Sequence, residues 1–107
     1  HAEVVNYFEY VASNSNLVTY DTYGKTNERR QLTYAVVSSK DNLENIETIR
    51  TNNLKNARIL EGDATPDKAI VWLSYNVHGN EASSTEAAMQ TLYELVTIRC
   101  KTSCYRT

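Results

Sequence analysis

The sequence predicts a single α/β domain over residues 1–107, on three observations. Apolar residues recur at helical spacing near both ends of the chain. Two short runs rich in β-branched and aromatic residues flank a polar turn that begins with glycine, which is typical of a hairpin. The most hydrophobic stretch, residues 69–75, is uncharged and of strand length, and this favours a strand that is covered on both faces.

Composition and charge exclude several classes of protein. The chain of 107 residues is 41% hydrophobic, which is too apolar for a disordered chain. Its net charge of −2 argues against nucleic acid as a partner, and no apolar run approaches the roughly 18 residues that would cross a membrane. No signal peptide is visible at the N-terminus, and the compartment stays open, with secretion or a periplasmic location included.

The first half of the chain predicts a helix followed by the hairpin. Residues 3–13 carry apolar side chains at helical spacing and end at a polar Asn-Ser-Asn run. Residues 17–23 and 32–38 are the two predicted strands, and residues 24–30 form the turn between them.

The second half predicts a helix, a strand and a helix. Residues 41–57 carry leucine and isoleucine at three-residue spacing, which predicts a helix that is broken at residues 52–53. A polar connector over residues 61–67 then leads into the central strand at residues 69–75, with Trp72 in the core. The predicted order is therefore helix, strand, strand, helix, strand, helix.

The last helix begins near Ser83 and gives way to an irregular tail. Ser83 precedes Glu86 by three residues, which is the spacing of a capping box at a helix N-terminus. Residues 98–107 continue the apolar stripe poorly, and we expect a frayed end there. Cys100 and Cys104 lie in that tail at a spacing that does not favour a metal knuckle, so they are interpreted as surface thiols.

The candidate site lies between the predicted central strand and the last helix, at His78 and Glu81. Ligands bind outside the carboxyl ends of strands in open α/β sheets, and Gly79 would let the backbone turn so that both side chains converge. Imidazole nitrogen and carboxylate oxygen are donors that Zn²⁺ selects. In the alternative interpretation, His78 and Asn80 bind loop carbonyls and Glu81 lies on a solvated surface.

Two segments resemble the zinc carboxypeptidase family. Residues 70–87 resemble its first metal-binding motif, in which a hydrophobic strand ends in His-x-x-Glu and a helix follows at once. Residues 23–32 resemble its early hairpin, where Arg30 and Leu32 match and Arg29 stands at a position where glycine is common.

This resemblance covers residues 3–96 and implies a mixed α/β sandwich around an eight-stranded sheet. It implies a peptide hydrolase that removes a C-terminal residue, with His78 and Glu81 as two of three zinc ligands. The third ligand would be a later histidine, but no histidine follows His78, and the general-base glutamate is not matched. We therefore expect an amino-terminal portion of a longer enzyme, inactive alone, that either self-associates through exposed sheet edges or is partly disordered.

Two other functions stay open. Asn80 stands where some family members carry an arginine that assists substrate binding. This leaves room for the related zinc deacylases, which share the metal motif. A non-catalytic α/β interaction module that keeps the loop only as scaffold is the other alternative, and zinc binding would distinguish it from an enzyme.

Overall fold

The computed structural model describes residues 2–65 and 68–104, with side chains described as far as residue 98. Its elements are α1 (Ala2–Asn14), β1 (Val18–Lys25), β2 (Gln31–Val37), α2 (Lys40–Glu44), α3 (Ile46–Asn56) and α4 (Ser83–Cys104). Helices thus surround a two-stranded antiparallel sheet, which is the small α/β arrangement that the sequence predicts at its coarsest level.

The hairpin agrees with the sequence prediction to within about two residues at each strand end. Its register runs from Val18 opposite Val37 to Lys25 opposite Gln31, with a bulge between Thr22 and Gly24. The bulge places one more residue on β1 than on β2, which bends that strand. The position of the hairpin is therefore determined by local sequence, namely the two runs of β-branched and aromatic residues and the turn that joins them.

The turn of the hairpin is closed by Thr26. Its N–H donates to the Arg30 carbonyl at 2.8 Å, and its carbonyl accepts from the N–H of Arg29 at 2.9 Å. Arg29 has a φ of 62°, in the left-handed region that favours glycine. Arginine at this position is strained because its Cβ crowds the following carbonyl.

The core lies between the hairpin and the two long helices. α1 contacts β1 and α4, and α4 also contacts β2. Among the described residues, the buried apolar side chains are Val18 on β1 and Ala88 and Leu92 on α4. α4 is therefore packed at its first turns, and this fixes the end of the loop that precedes it.

The helix predicted over residues 41–57 divides into α2 and α3 at Asn45, so the predicted break at residues 52–53 is wrong. Asn45 has φ −107° and ψ 18°, outside the helical region. Asn53 stays within α3, where its side-chain amide donates to the carbonyl of Lys68 at 3.0 Å. The amide thus ties α3 to the following connector instead of interrupting the helix.

The predicted central strand at residues 69–75 does not form. Residues 68–82 contain neither helix nor strand, and the side chains of Val71 and Trp72 are 77% and 75% exposed. The prediction that Trp72 lies in the core is therefore wrong. A strand needs a neighbour, and among the described residues β1 and β2 pair only with each other. The larger mixed sheet stays a prediction.

α4 begins at Ser83, as the capping-box spacing predicts, and extends to Cys104. The irregular tail predicted from residue 98 is thus helical as far as residue 104, because no glycine or proline interrupts this stretch. Residues 105–107 and the side chains of Cys100 and Cys104 lie outside the described part.

None of the helices in the described ranges combines the length and hydrophobicity needed to span a membrane. Both strands of the sheet have one open edge within the described chain, since the sheet contains only β1 and β2. Self-association through such edges stays a prediction.

Replacement of Arg29 by glycine should stabilise the hairpin. Glycine adopts a φ of 62° without the steric cost that arginine bears, although it gains more freedom in the unfolded chain. We expect Arg29→Gly to raise the free energy of unfolding by about 1 kcal/mol or somewhat less. Urea denaturation of both proteins measures the difference.

Arg30→Gly is the matched control. Arg30 lies outside the left-handed region and forms an exposed ion pair with Glu28 at 3.0 Å. Glycine there removes this exposed ion pair and adds unfolded-state entropy, so this variant should be no more stable than the parent. Equal stabilisation by both variants would contradict the explanation from backbone strain.

Candidate metal centre

The site is a loop that connects residue 75 to the start of α4. Asn76 at the beginning of this loop has a φ of 54°, in the left-handed region. Asparagine enters the left-handed region more readily than most residues, and the bends and the turn of the loop follow Asn76 at residues 77–80. The chain turns at residues 79–80, where the sequence places Gly79, and the N–H of Glu81 donates to the carbonyl of His78 across this turn at 3.2 Å. Gly79 does not have a positive φ, so the turn does not require glycine there.

The loop brings His78 and Glu81 into direct contact. His78 Nδ1 lies 2.8 Å from Glu81 Oε1, and the backbone N–H of His78 donates to Glu81 Oε2 at 3.3 Å. The backbone N–H of Glu81 in turn donates to the carbonyl of His78 at 3.2 Å. Both oxygens of the carboxylate are therefore directed at the same residue, and the two side chains meet at one point.

The contact changes the acidity of Glu81. The hydrogen bond from the His78 side chain, with a smaller effect from the His78 backbone, holds the pKa of Glu81 below its usual value, because both stabilise the carboxylate anion. The side chains of His78 and Glu81 are 73% and 40% exposed, so solvent screens their attraction. The carboxylate is thus ionised at neutral pH.

Two further hydrogen bonds hold the ends of the loop. The hydroxyl of Tyr75 donates to Thr91 Oγ1 on α4 at 2.9 Å. At the other end, the N–H of Ser84 donates to the carbonyl of Glu81 at 3.1 Å. The loop therefore starts and finishes on the same helix, and neither bond is predicted from the spacing of residue types along the sequence.

The two ligand atoms of this site, an imidazole nitrogen and a carboxylate oxygen, are of the kinds that zinc binds. Zinc binds imidazole nitrogen and carboxylate oxygen at about 2.0–2.2 Å in tetrahedral geometry, so two ligand atoms of one ion lie about 3.4 Å apart. The 2.8 Å between Nδ1 and Oε1 is that of a direct hydrogen bond, so these two atoms have to separate slightly to share an ion. Among the described side chains, over residues 2–65 and 68–98, no group of three or more His, Cys, Asp or Glu is placed to hold a metal. His1 lies outside these ranges.

Comparison with known proteins identifies the family. The sequence model of a family described as zinc carboxypeptidase matches residues 4–102. The chain belongs to the zinc carboxypeptidase family. Neither a curated protein nor a solved structure matches the chain. Membership implies, at the level of the family, a hydrolase with zinc as metal and peptides as substrates.

In this zinc carboxypeptidase chain, loss of the imidazole should raise the pKa of Glu81. His78→Ala removes the hydrogen bond that lowers this pKa most, while the backbone donor stays. We expect the pKa to move up toward its ordinary value of 4.5. A carboxyl ¹³C NMR titration follows it directly. Arg50→Gln removes a positive charge from α3, and this control should leave the titration unchanged.

Gly79→Ala should preserve the contact between His78 and Glu81. A Cβ at residue 79 meets no atom within 4 Å, and the backbone there is not left-handed. Alanine also restricts the unfolded chain, so we expect a gain in stability of about 0.4–1 kcal/mol. Thermal unfolding measures it, and a loss of stability would show that residue 79 needs glycine after all.

Proposed function

We propose that His78 and Glu81 are two zinc ligands of a peptide hydrolase of the carboxypeptidase type. The observation that supports this is the 2.8 Å approach of Nδ1 and Oε1, in a chain whose family uses zinc. An exposed ion pair contributes little to stability, so stability alone is a weak reason for this arrangement. A metal site gives both side chains a chemical role.

The ionised carboxylate of Glu81 is ready to bind a metal ion. The pKa of Glu81 is lowered, so this carboxylate binds a cation without first losing a proton at neutral pH. An ionised carboxylate only accepts hydrogen bonds, so His78 Nδ1 carries the hydrogen between them. If Nδ1 is the ligand atom, that hydrogen has to leave, and the neutral tautomer with hydrogen on Nε2 can accommodate this.

Bound zinc would polarise the scissile carbonyl of a peptide and lower the pKa of a bound water. His78 and Glu81 would hold the ion at the start of α4. Catalytic zinc sites normally have three protein ligands and a water, and two ligands hold the ion weakly. We therefore propose that the chain alone binds zinc weakly and does not hydrolyse peptides at a measurable rate. Removal of a C-terminal residue is the proposed reaction of the complete site.

Zinc binding should depend on both side chains. We expect the parent chain to bind one zinc ion, and His78→Ala and Glu81→Gln each to weaken binding by about tenfold or more. Isothermal titration calorimetry with zinc chloride gives the affinity. Glu86→Gln removes an exposed carboxylate from the first turn of the same helix, and this matched control should bind zinc as the parent does.

The outcome also separates an enzyme from a non-catalytic interaction module. Zinc that binds equally to the parent and to both ligand variants would place the metal elsewhere and contradict the proposal. A complete absence of binding would favour the module, in which the loop is only scaffold.

A further inference from the structure

We propose that Asn76 is the positioning residue of the candidate site and that it holds Glu81 against His78. The expected effect on zinc binding rests on the proposed function, whereas the positioning of Glu81 rests only on the geometry of the loop. Asn76 lies two residues before His78, and its side chain contacts the backbone of Glu81 and not the proposed zinc-ligand atoms of His78 and Glu81. Its effect would be exerted through the backbone of the loop.

The first observation is the backbone conformation of Asn76. Its φ of 54° lies in the left-handed region directly after Tyr75, which is itself held to α4 by the hydrogen bond to Thr91, and directly before the bends and turn at residues 77–80. From a fixed starting point, the value of φ at residue 76 decides where the next two residues are directed. A residue that prefers negative φ would therefore turn His78 away from the start of α4.

The second observation is the contact of the Asn76 side chain. Its Nδ2 donates to the carbonyl of Glu81 at 3.4 Å and so closes the loop across five residues. The same carbonyl accepts the N–H of Ser84 at 3.1 Å. The backbone of Glu81 is thus held from one side by the loop and from the other by α4, and its carboxylate is left directed at His78.

Asparagine combines the two requirements. Among residues other than glycine, asparagine and aspartate adopt the left-handed region most readily, and only asparagine of these two also carries an amide donor. Glycine would supply the backbone conformation without the donor. A β-branched residue would supply neither, since its side chain is least compatible with positive φ. The three replacements separate the two contributions.

The test compares Asn76→Gly, Asn76→Asp and Asn76→Val with the parent chain. The first measurement is the ¹⁵N chemical shift of His78 Nδ1 without zinc, at one fixed pH, because it reports the hydrogen bond to Glu81. The second is the zinc affinity by calorimetry. We call the ¹⁵N shift of the hydrogen-bonded His78 Nδ1 the ¹⁵N signature. We expect Asn76→Val to lose this signature and to bind zinc about tenfold more weakly than the parent. Asn76→Gly should keep the signature and stay within about threefold of the parent.

Asn76→Asp removes the amide donor and adds a charge, and Gly79→Ala is the loop control. Asn76→Gly removes the same donor without a charge, so a partial loss in both variants would assign part of the effect to the Nδ2 donor, whereas Gly79→Ala should match the parent. Far-UV circular dichroism of each variant checks that the helices persist. If Asn76→Val keeps both the signature and the affinity, the inference is overturned.

Failure of the inference and failure of the proposed function can be told apart. A signature that is lost in Asn76→Val and kept in Asn76→Gly, in a chain that binds no zinc at all, supports the positioning role and overturns the metal site. Zinc binding that depends on His78 but is the same in all Asn76 variants supports the metal site and overturns the positioning role.

Discussion

The reversal of the chain between Tyr75 and α4 is the constraint on which the candidate site depends. Only two residues separate His78 from Glu81, so their side chains meet only if the backbone turns within that interval. The turn at residues 79–80 supplies this, after the left-handed φ of Asn76 at the start of the loop, and the first turn of α4 follows. Packing of Ala88 and Leu92 then holds α4, so the core indirectly determines where Glu81 lies.

The elements that the sequence predicts correctly are those that local interactions determine. α1, the hairpin and the start of α4 follow from side-chain periodicity and a helix-capping pattern, which act within a few residues. The strand at residues 69–75 was predicted from its apolar composition, but a strand also requires a partner at long range. Apolar composition does not indicate whether a partner strand is present. Because the strand does not form, the side chain of Trp72 is exposed.

The same distinction applies to the site. His78 and Glu81 could be selected from residue type, spacing and the resemblance to a family, and the structure brings these two side chains together. Asn76 could not be selected in this way, because glycine is the usual indication of positive φ and Gly79 lay nearby. The available signal was an asparagine directly after an apolar run, since asparagine tolerates the left-handed region.

The exposure of the pair decides what its substitution can reveal. Because His78 and Glu81 face solvent, their attraction is screened and the fold does not depend on it. The packed residues Val18 and Leu92 maintain the fold independently of the loop. Substitutions in the loop therefore change the contact between His78 and Glu81 and leave the core intact. A change in zinc affinity can then be assigned to the site itself. A buried pair would not allow this separation, since removal of one partner would leave an uncompensated charge in the core.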